Sequence, residues 1–376
     1  MVVVLDEGHF VKTRISTAEQ SHLGLIMIAR GIGGYQLRSS LRIWVSCICL
    51  ILFTLFIPQQ LRNLCPESRP SINLVLALTK AQDYSWTAKL TVPGLSIVPF
   101  IADDPKAKYH PPANKGREAL MYLSYIHQFY DSLPDVSIFS HGDDKTWHID
   151  SIFENSTLNA INELQLSEVT HHGYINLRTA WWNACPAWIN TTNGYAGSTG
   201  NIFFSEALHN LDLGDKVEEP YMKAAFKENF PGHQLPEILA QPCCSQFAVS
   251  KAAIRSVPKE QYREKIQWLL KTPLSDQLTG RMWEHMWQFL FLNKPVVCPL
   301  EFEALCQGWH ICFKSQEDLE NWNSLANKRD ALKWRLSQSN LNGDIQELRV
   351  LEEKLRRLKN IALRRGNEGG NIVENS

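Results

Sequence analysis

The body of the sequence alternates short apolar runs with amphipathic segments. Asn73–Leu78 and Leu95–Ile101 are continuous apolar runs, as expected for strands that are covered on both faces. Residues 115–133 carry apolar side chains at helical spacing, with Asn114 as the predicted N-cap. Val136–Ser140 predicts a third strand. This alternation predicts an α/β fold, in which helices flank a mostly parallel sheet.

The second half of the body is less regular. Residues 173–182 predict a strand and a turn, and residues 243–250 predict another strand. Residues 251–272 predict two helices separated at Pro258, and residues 279–291 predict one further helix.

A change of pattern near residue 315 predicts a helical hairpin, with a turn at Asn342-Gly343. Such a hairpin is a candidate surface for a protein partner. The predicted segments are a cytosolic tail (1–40), a transmembrane anchor (41–58), a stem (59–70), a lumenal α/β domain (71–314), the hairpin (315–365) and a disordered tail (366–376).

The uncharged run Ile43–Ile57 decides the predicted compartment. It has 15 residues, somewhat fewer than the roughly 20 that span a bilayer. Arg30, Arg38 and Arg42 precede it, which favours a single-pass anchor with the body in the lumen of the endoplasmic reticulum or Golgi. A buried helix and a cleaved signal peptide are the alternatives, although a signal peptide would need an unusually long n-region.

The cysteines agree with a lumenal body. An even number in such a compartment predicts up to three disulfides, and the spacing lacks the paired C-x2-C pattern of structural zinc sites. For the adjacent pair we expect two separate disulfides, or one disulfide and a buried thiol, rather than a nucleophile. The six body cysteines are Cys185, Cys243, Cys244, Cys298, Cys306 and Cys312.

Two further features bear on the class of protein. Asn155 and Asn190 begin N-glycosylation sequons, so a lumenal body would be a glycoprotein. The net charge of −1 argues against a nucleic-acid-binding protein, because such proteins usually carry a basic excess.

Acidic pairs follow two of the predicted strands. Asp103 and Asp104 follow the second strand, and Asp143 and Asp144 follow the third. Ligands bind at the carboxyl ends of strands in sheets of this kind, so these positions are candidate sites. Solvated turns are the alternative for both pairs, because Asp and Gly are common turn residues.

Several motifs resemble a fungal family that is catalogued as a domain of unknown function. The resemblance covers roughly residues 72–313 and includes a closing cysteine cluster, although Ala184 stands where a glycine is expected. Its motifs are similar to those of the GT-A group of glycosyltransferases, which implies a GT-A or Rossmann-like sheet. The motifs are NKGREALMYLSYI, LPDVSIFSHGDDKTWHID, GYINLRTAW, CCSQFAVS and TPLSDQLTGRMWEHMWQFLF.

The GT-A resemblance implies a divalent cation, Mn²⁺ or Mg²⁺, that neutralises the leaving diphosphate of a nucleotide sugar. The nucleotide and its phosphates would contact Asp103, Asp104 and Arg117; an internal ion pair is the alternative for Arg117. Asp150 is a further candidate for the site. The implied metal ligands are Asp143, Asp144, His141 and His148.

The same resemblance implies a base in the second half of the body that deprotonates an acceptor hydroxyl. Glu284 is the candidate, provided that burial raises its pKa. His285 is an alternative, and so is Asp276, which could instead cap a helix.

The sequence therefore predicts a membrane-anchored, metal-dependent glycosyltransferase-like protein of the fungal secretory pathway, acting on an unknown acceptor. One alternative is a metal-dependent hydrolase that uses the cluster from His141 to His148. The other is a non-catalytic lumenal protein, which could serve a secondary-metabolite pathway and recruits a partner through residues 315–365.

Overall fold

The computed structural model describes residues 69–182, 184–193, 216–338 and 342–369. The predicted cytosolic tail, anchor and most of the stem lie outside these residues, as does most of the predicted disordered tail. Across the described ranges, none of the helices has the length and apolar character needed to cross a membrane.

A five-stranded sheet lies at the centre of the body. Its strands are β1 (Ile72–Leu78), β2 (Leu95–Ile101), β3 (Val136–His141), β4 (Tyr174–Asn176) and β7 (Phe247–Ser250), and two further strands, β5 (Ile189–Asn190) and β6 (Ile238–Leu239), pair by themselves. The spatial order in the main sheet is β2-β1-β3-β7-β4. The first three strands are parallel neighbours, which confirms the predicted strands and the mostly parallel α/β fold.

β7 is the exception to the parallel arrangement. It lies between β3 and β4 and runs antiparallel to both. It is shorter than the strand predicted from residue 243, because Cys244 and Ser245 have positive φ angles of 92° and 50° that do not fit a strand.

Helices cover both faces of the sheet. Residues 251–271 form two helices on either side of Pro258, as predicted. The helices are α1 (Arg117–Phe129), α2 (Thr157–Glu163), α3 (Leu166–His172), α4 (Glu219–Asn229), α5 (Lys251–Arg255), α6 (Lys259–Lys271), α7 (Asp276–Glu284), α8 (Trp287–Leu292), α9 (Glu301–Trp309), α10 (Gln316–Gln338) and α11 (Asn342–Asn367).

Two predicted helix details were wrong. The single helix expected over residues 279–291 is two helices, α7 and α8, which separate at His285 and Met286. There the Gln288 side chain donates to the His285 carbonyl at 2.8 Å. α1 begins after Gly116 rather than Asn114; Gly116 has a φ of 66°, which favours glycine.

The two faces of the sheet contribute to two apolar layers. Alternate residues of β1 point to opposite faces, so Val75 packs in one layer and Leu74 in the other. α1, α7 and α8 cover the first layer, while α2, α9 and α10 cover the second.

The C-terminal hairpin of α10 and α11 packs against the body. Lys359 donates to the Ile152 carbonyl at 3.1 Å and pairs with Glu163 at 2.8 Å. Gly366 passes so close to the body that a Cβ atom there would lie 2.0 Å from the His310 carbonyl oxygen. The last turns of α11 therefore require a glycine at this position.

All six body cysteines form disulfides, which confirms the predicted number of bridges. The bonds join Cys185 to Cys298 and Cys306 to Cys312. The expectation for the adjacent pair was wrong, because Cys243 and Cys244 bond to each other.

Candidate functional site

Four elements meet at the carboxyl end of β3. Phe139 of β3 pairs with Phe247, so the antiparallel β7 begins where β3 ends. Gln246, just before β7, accepts hydrogen bonds from the Ser140 hydroxyl at 2.6 Å and the His141 amide at 3.1 Å. The start of α1 and the end of α7 complete this edge.

Two glutamates, Glu118 at the start of α1 and Glu284 at the end of α7, influence each other here. Burial raises the pKa of Glu118, although its own amide, the Ser245 hydroxyl and the charge of Arg117 oppose the shift. Burial first, and then the negative charge of Glu118, raise the pKa of Glu284 to about 8. Close carboxyl groups disfavour double ionisation, so the pair holds a proton near neutral pH.

The surrounding backbone and side chains position this pair. The Cys244 amide hydrogen-bonds the Glu284 carboxylate, and Gln241 donates to the Glu284 carbonyl at 2.5 Å. Trp287 donates to the Ser245 hydroxyl at 3.1 Å, and that hydroxyl also contacts Glu118. The Cys244 amide and the Ser245 hydroxyl thus contact one carboxyl group each. Glu284 keeps part of its surface exposed, whereas Glu118 is buried.

A third glutamate, Glu218, is fully buried nearby. Its pKa is shifted in the opposite direction from those of Glu118 and Glu284. It accepts from Arg281 Nε at 2.8 Å and contacts His285 Nε2 at 2.9 Å. Burial opposes its ionisation, but His285 and then Arg281 outweigh that effect and lower the pKa of Glu218 to about 2. His285, a candidate base, is therefore held by a carboxylate.

The two histidines of the predicted metal site contact each other. Their Nδ1 atoms lie 2.9 Å apart, so one ring donates and the other accepts. Burial lowers the pKa of His141 to about 4, and burial and the neighbouring His141 lower the pKa of His148 to about 3. Both rings are neutral at physiological pH. His141 Nε2 lies 4.0 Å from Glu118, which links the histidines to the carboxyl pair.

The acidic pair after β3 divides between two environments. Asp144 Oδ1 accepts from the Ser156 hydroxyl at 2.6 Å and the Leu158 amide at 3.0 Å, so it anchors the start of α2. Asp143 is exposed. The preceding Gly142 packs on β1: a Cβ atom there would lie 2.2 Å from Leu78 Cδ2.

The acidic pair after β2 makes turn contacts. Asp103 accepts from the Lys80 amide at 2.7 Å. Asp104 accepts from the Lys106 amide at 3.0 Å and pairs with the Lys80 ammonium at 3.3 Å. Hydrogen bonds of this kind are typical of a turn, which is the alternative interpretation of Asp103 and Asp104.

The comparisons with known proteins add one relationship. The family described as "Protein of unknown function (DUF3431)" matches residues 74–307, which is more than half of the chain. The chain belongs to this family. A search of curated proteins and a search of solved structures found no match.

The DUF3431 match runs from β1 into α9 and contains the whole carboxyl and histidine cluster. The C-terminal hairpin lies beyond it. The two glycosylation candidates are inside: Asn155 lies in the turn before α2 and Asn190 in β5, and both are partly exposed.

Three other predicted residues of the DUF3431 segment have defined places. Asp276 begins α7 and accepts the Gly116 amide at 3.0 Å, which ties α7 to the start of α1. Arg117 is exposed, and its stem packs against Gly280. Asp150 accepts the amide and hydroxyl of Thr179 at 2.6 and 2.8 Å.

The predicted metal ligands of the DUF3431 segment do not come together as a donor set. Asp144 is hydrogen-bonded to α2, and the histidine Nδ1 atoms face each other. Across the described part of the chain, no three His, Cys, Asp or Glu side chains are grouped to hold a metal ion. The residues present do not fit the implied cation, and no step below passes through one.

Sequence reasoning named Glu284 but missed several residues of this candidate site. Ser245 and Arg178 lie inside motifs that were quoted for the family resemblance, without a role for either residue. Trp147 and Trp182 are exposed beside the histidines, and Trp147 lies within the same motif as His148. The signal available for Trp147 was a large aromatic residue in a polar segment that follows a strand. The sequence holds no comparable signal for Glu218, which precedes a helix in an ordinary charged stretch.

Proposed function

We propose that this protein transfers a glycosyl group to an acceptor hydroxyl, and that Glu284 takes the hydroxyl proton. The observation that carries the proposal is the position of Glu284 beside Glu118 at the carboxyl end of β3, where burial and the charge of Glu118 raise the pKa of Glu284 to about 8. A general base works best when its pKa lies near the working pH. The GT-A resemblance of the motifs supplies the reaction class.

The neighbouring residues have defined parts in this reaction. The Cys244 amide orients the Glu284 carboxylate, and Glu118 keeps the Glu284 pKa high through its charge. The acceptor oxygen bonds to the sugar carbon, the bond to the nucleoside diphosphate breaks, and the hydroxyl proton moves to Glu284. Arg117, exposed at the start of α1, is the candidate cation for the leaving phosphates.

The test is turnover of nucleotide sugars by the full-length protein with a panel of acceptor sugars, read as nucleotide release. Glu284→Gln keeps the side-chain shape and removes the base, so we expect a loss of about 10²- to 10⁴-fold in kcat. Glu260→Gln, on the exposed side of α6, is the matched control.

The same assay separates the alternatives. Unchanged turnover in Glu284→Gln contradicts the assigned base. Sugar release that needs no acceptor indicates the hydrolase alternative. Parallel reactions with EDTA, Mn²⁺ and Mg²⁺ measure whether the implied cation is required.

The proposal places the body in the lumen of the secretory pathway. Three disulfides support an oxidising compartment. Glycosidase treatment of the protein made in a eukaryotic host should lower its apparent mass through Asn155 or Asn190. An Asn155→Gln and Asn190→Gln double variant is the control, and an unchanged mass for the parent would contradict the lumenal assignment.

A further inference from the structure

Two tryptophans project into solvent beside the histidine pair. Trp147 is 58% exposed and Trp182 is 63% exposed. Their ring centroids lie 5.9 Å apart with the ring planes at 89°. Tryptophan usually buries most of its surface, so two adjacent exposed indoles mark a surface that contacts something else.

Arg178 holds this pair in place. Its guanidinium lies 5.3 Å from the Trp147 ring and 5.6 Å from the Trp182 ring. It donates to the Trp147 carbonyl at 2.8 Å and contacts Cys244 Sγ at 3.7 Å. Arg178 is itself buried, and its Nε lies 3.8 Å from Asp150. The tryptophans therefore sit on a fixed base, which lowers the entropy lost on binding.

The pair is continuous with the carboxyl cluster. The Trp147 ring lies 4.2 Å from the His148 ring, and His148 contacts His141. Cys244 contacts Arg178 through sulfur and Glu284 through its amide. A ligand on the tryptophans would thus extend toward Glu284.

The charges around the tryptophans favour an uncharged ligand. Burial lowers the pKa of Arg178, and the negative charges of Asp150 and Glu301, which its cation faces, oppose that shift. His141 and His148 share one hydrogen bond between Nδ1 atoms that lie 2.9 Å apart, so at least one of these two nitrogens carries no proton and its ring is neutral. These groups offer hydrogen bonds without excess positive charge, so they suit hydroxyl groups better than phosphate.

We propose that Trp147 and Trp182 bind a neutral pyranose ring of the acceptor, which rests on the transferase function proposed above. The apolar C–H face of a sugar packs on an indole face, while its hydroxyl groups reach the histidines and the edge of the site. The donor nucleotide, which is anionic, binds elsewhere.

The experiment measures binding of neutral trisaccharides of mannose, glucose and N-acetylglucosamine to the full-length protein, by calorimetry and tryptophan fluorescence. A detergent without a sugar headgroup avoids competition. We expect Trp147→Ala with Trp182→Ala to weaken binding of at least one trisaccharide by about tenfold or more. Trp334→Ala is the matched control, because Trp334 is 67% exposed on α10. Trp147→Phe with Trp182→Phe should retain part of the affinity.

Each outcome decides the proposal. Trisaccharide binding that is absent in the parent, or unchanged in the double alanine variant, overturns it. A loss of UDP binding instead assigns the surface to the nucleotide, and a loss of binding to phosphatidylcholine vesicles assigns it to a lipid surface; either result also overturns it. Trisaccharide binding by the parent and by the double alanine variant is read without turnover, so an inactive transferase assay and a failed sugar site are distinguishable.

Discussion

Glu218, which is fully buried, and Glu284, which is partly buried, are neighbouring glutamates whose pKa values differ greatly. Glu218 meets Arg281 and His285, and its pKa is lowered to about 2 although burial opposes its ionisation. Burial and the negative charge of Glu118 raise the pKa of Glu284 to about 8, with Arg281 opposing. Burial disfavours the charge of both carboxyl groups, so the partners decide the outcome.

The difference suggests a division of labour. A carboxylate that stays ionised across the whole physiological range can hold neighbouring groups but exchanges no proton. A carboxyl that titrates near neutral pH can accept and release one. In this molecule Arg281 acts on both glutamates, so the two environments are coupled.

The largest expected effect comes from removing the charge of Glu218, the glutamate that stays ionised. Glu218→Gln leaves Arg281 and His285 without a buried carboxylate, and we expect a loss of about 3 kcal/mol in the free energy of unfolding. Urea unfolding at pH 7 measures it. Glu260→Gln, on the exposed side of α6, controls for the loss of a glutamate charge. A loss below about 1 kcal/mol would mean that the pair contributes little to stability.

A second comparison repeats the contrast in adjacent residues. Asp144→Ala removes two hydrogen bonds at the start of α2 and should cost about 1.5 kcal/mol. Asp143→Ala removes an exposed carboxylate and should change stability by less than about 0.5 kcal/mol. Equal effects in the same unfolding assay would show that the two side chains share one environment.

The third effect concerns the proton on Glu284. An unfolded Glu loses its proton near pH 4.5, whereas the folded side chain keeps it until about pH 8. The folded state therefore binds more protons between these values, and its stability falls as the pH rises toward 8. We expect a fall of about 1 kcal/mol between pH 6.5 and pH 8. Glu284→Gln should remove this fall, as measured by thermal unfolding across that range; a parent and variant with the same slope would contradict the raised pKa.

The smallest effect concerns His148, for which stability falls as the pH decreases rather than as it increases. Unfolded His148 takes up a proton near pH 6.5, whereas the folded ring stays neutral down to about pH 3. Stability is therefore lost as the pH falls below about 6.5. His148→Gln should make this loss shallower, by about 0.7 kcal/mol between pH 7 and pH 6. Thermal unfolding of parent and variant at pH 6 and pH 7 measures the difference, and an equal or steeper loss in the variant would contradict it.

The regular parts of the fold were predictable because their signals are local. β1, β2 and β3 follow from continuous apolar runs, and the division at Pro258 follows from the missing amide. The split between α7 and α8 was not predictable, because His285 at the break contacts Glu218, which lies 67 positions away in the chain.

The candidate site was predictable only in part, for the same reason. The need for a raised pKa at Glu284 could be stated from its sequence neighbours, but the residue that raises it, Glu118, is 166 positions away in the chain. The two aspartates after β3 are identical in sequence terms, and only the position of α2 separates their roles.

The position of β7 also affects how the chain folds during synthesis on the ribosome. β3 is complete at His141, but its neighbour in the sheet begins only at Phe247. During synthesis, the edge of β3 that pairs with β7 stays unpaired until more than a hundred further residues have emerged. An open strand edge readily pairs with other chains, so nascent chains stalled before Phe247 should be bound by chaperones or aggregate, whereas chains released after Ser250 can close the centre of the sheet.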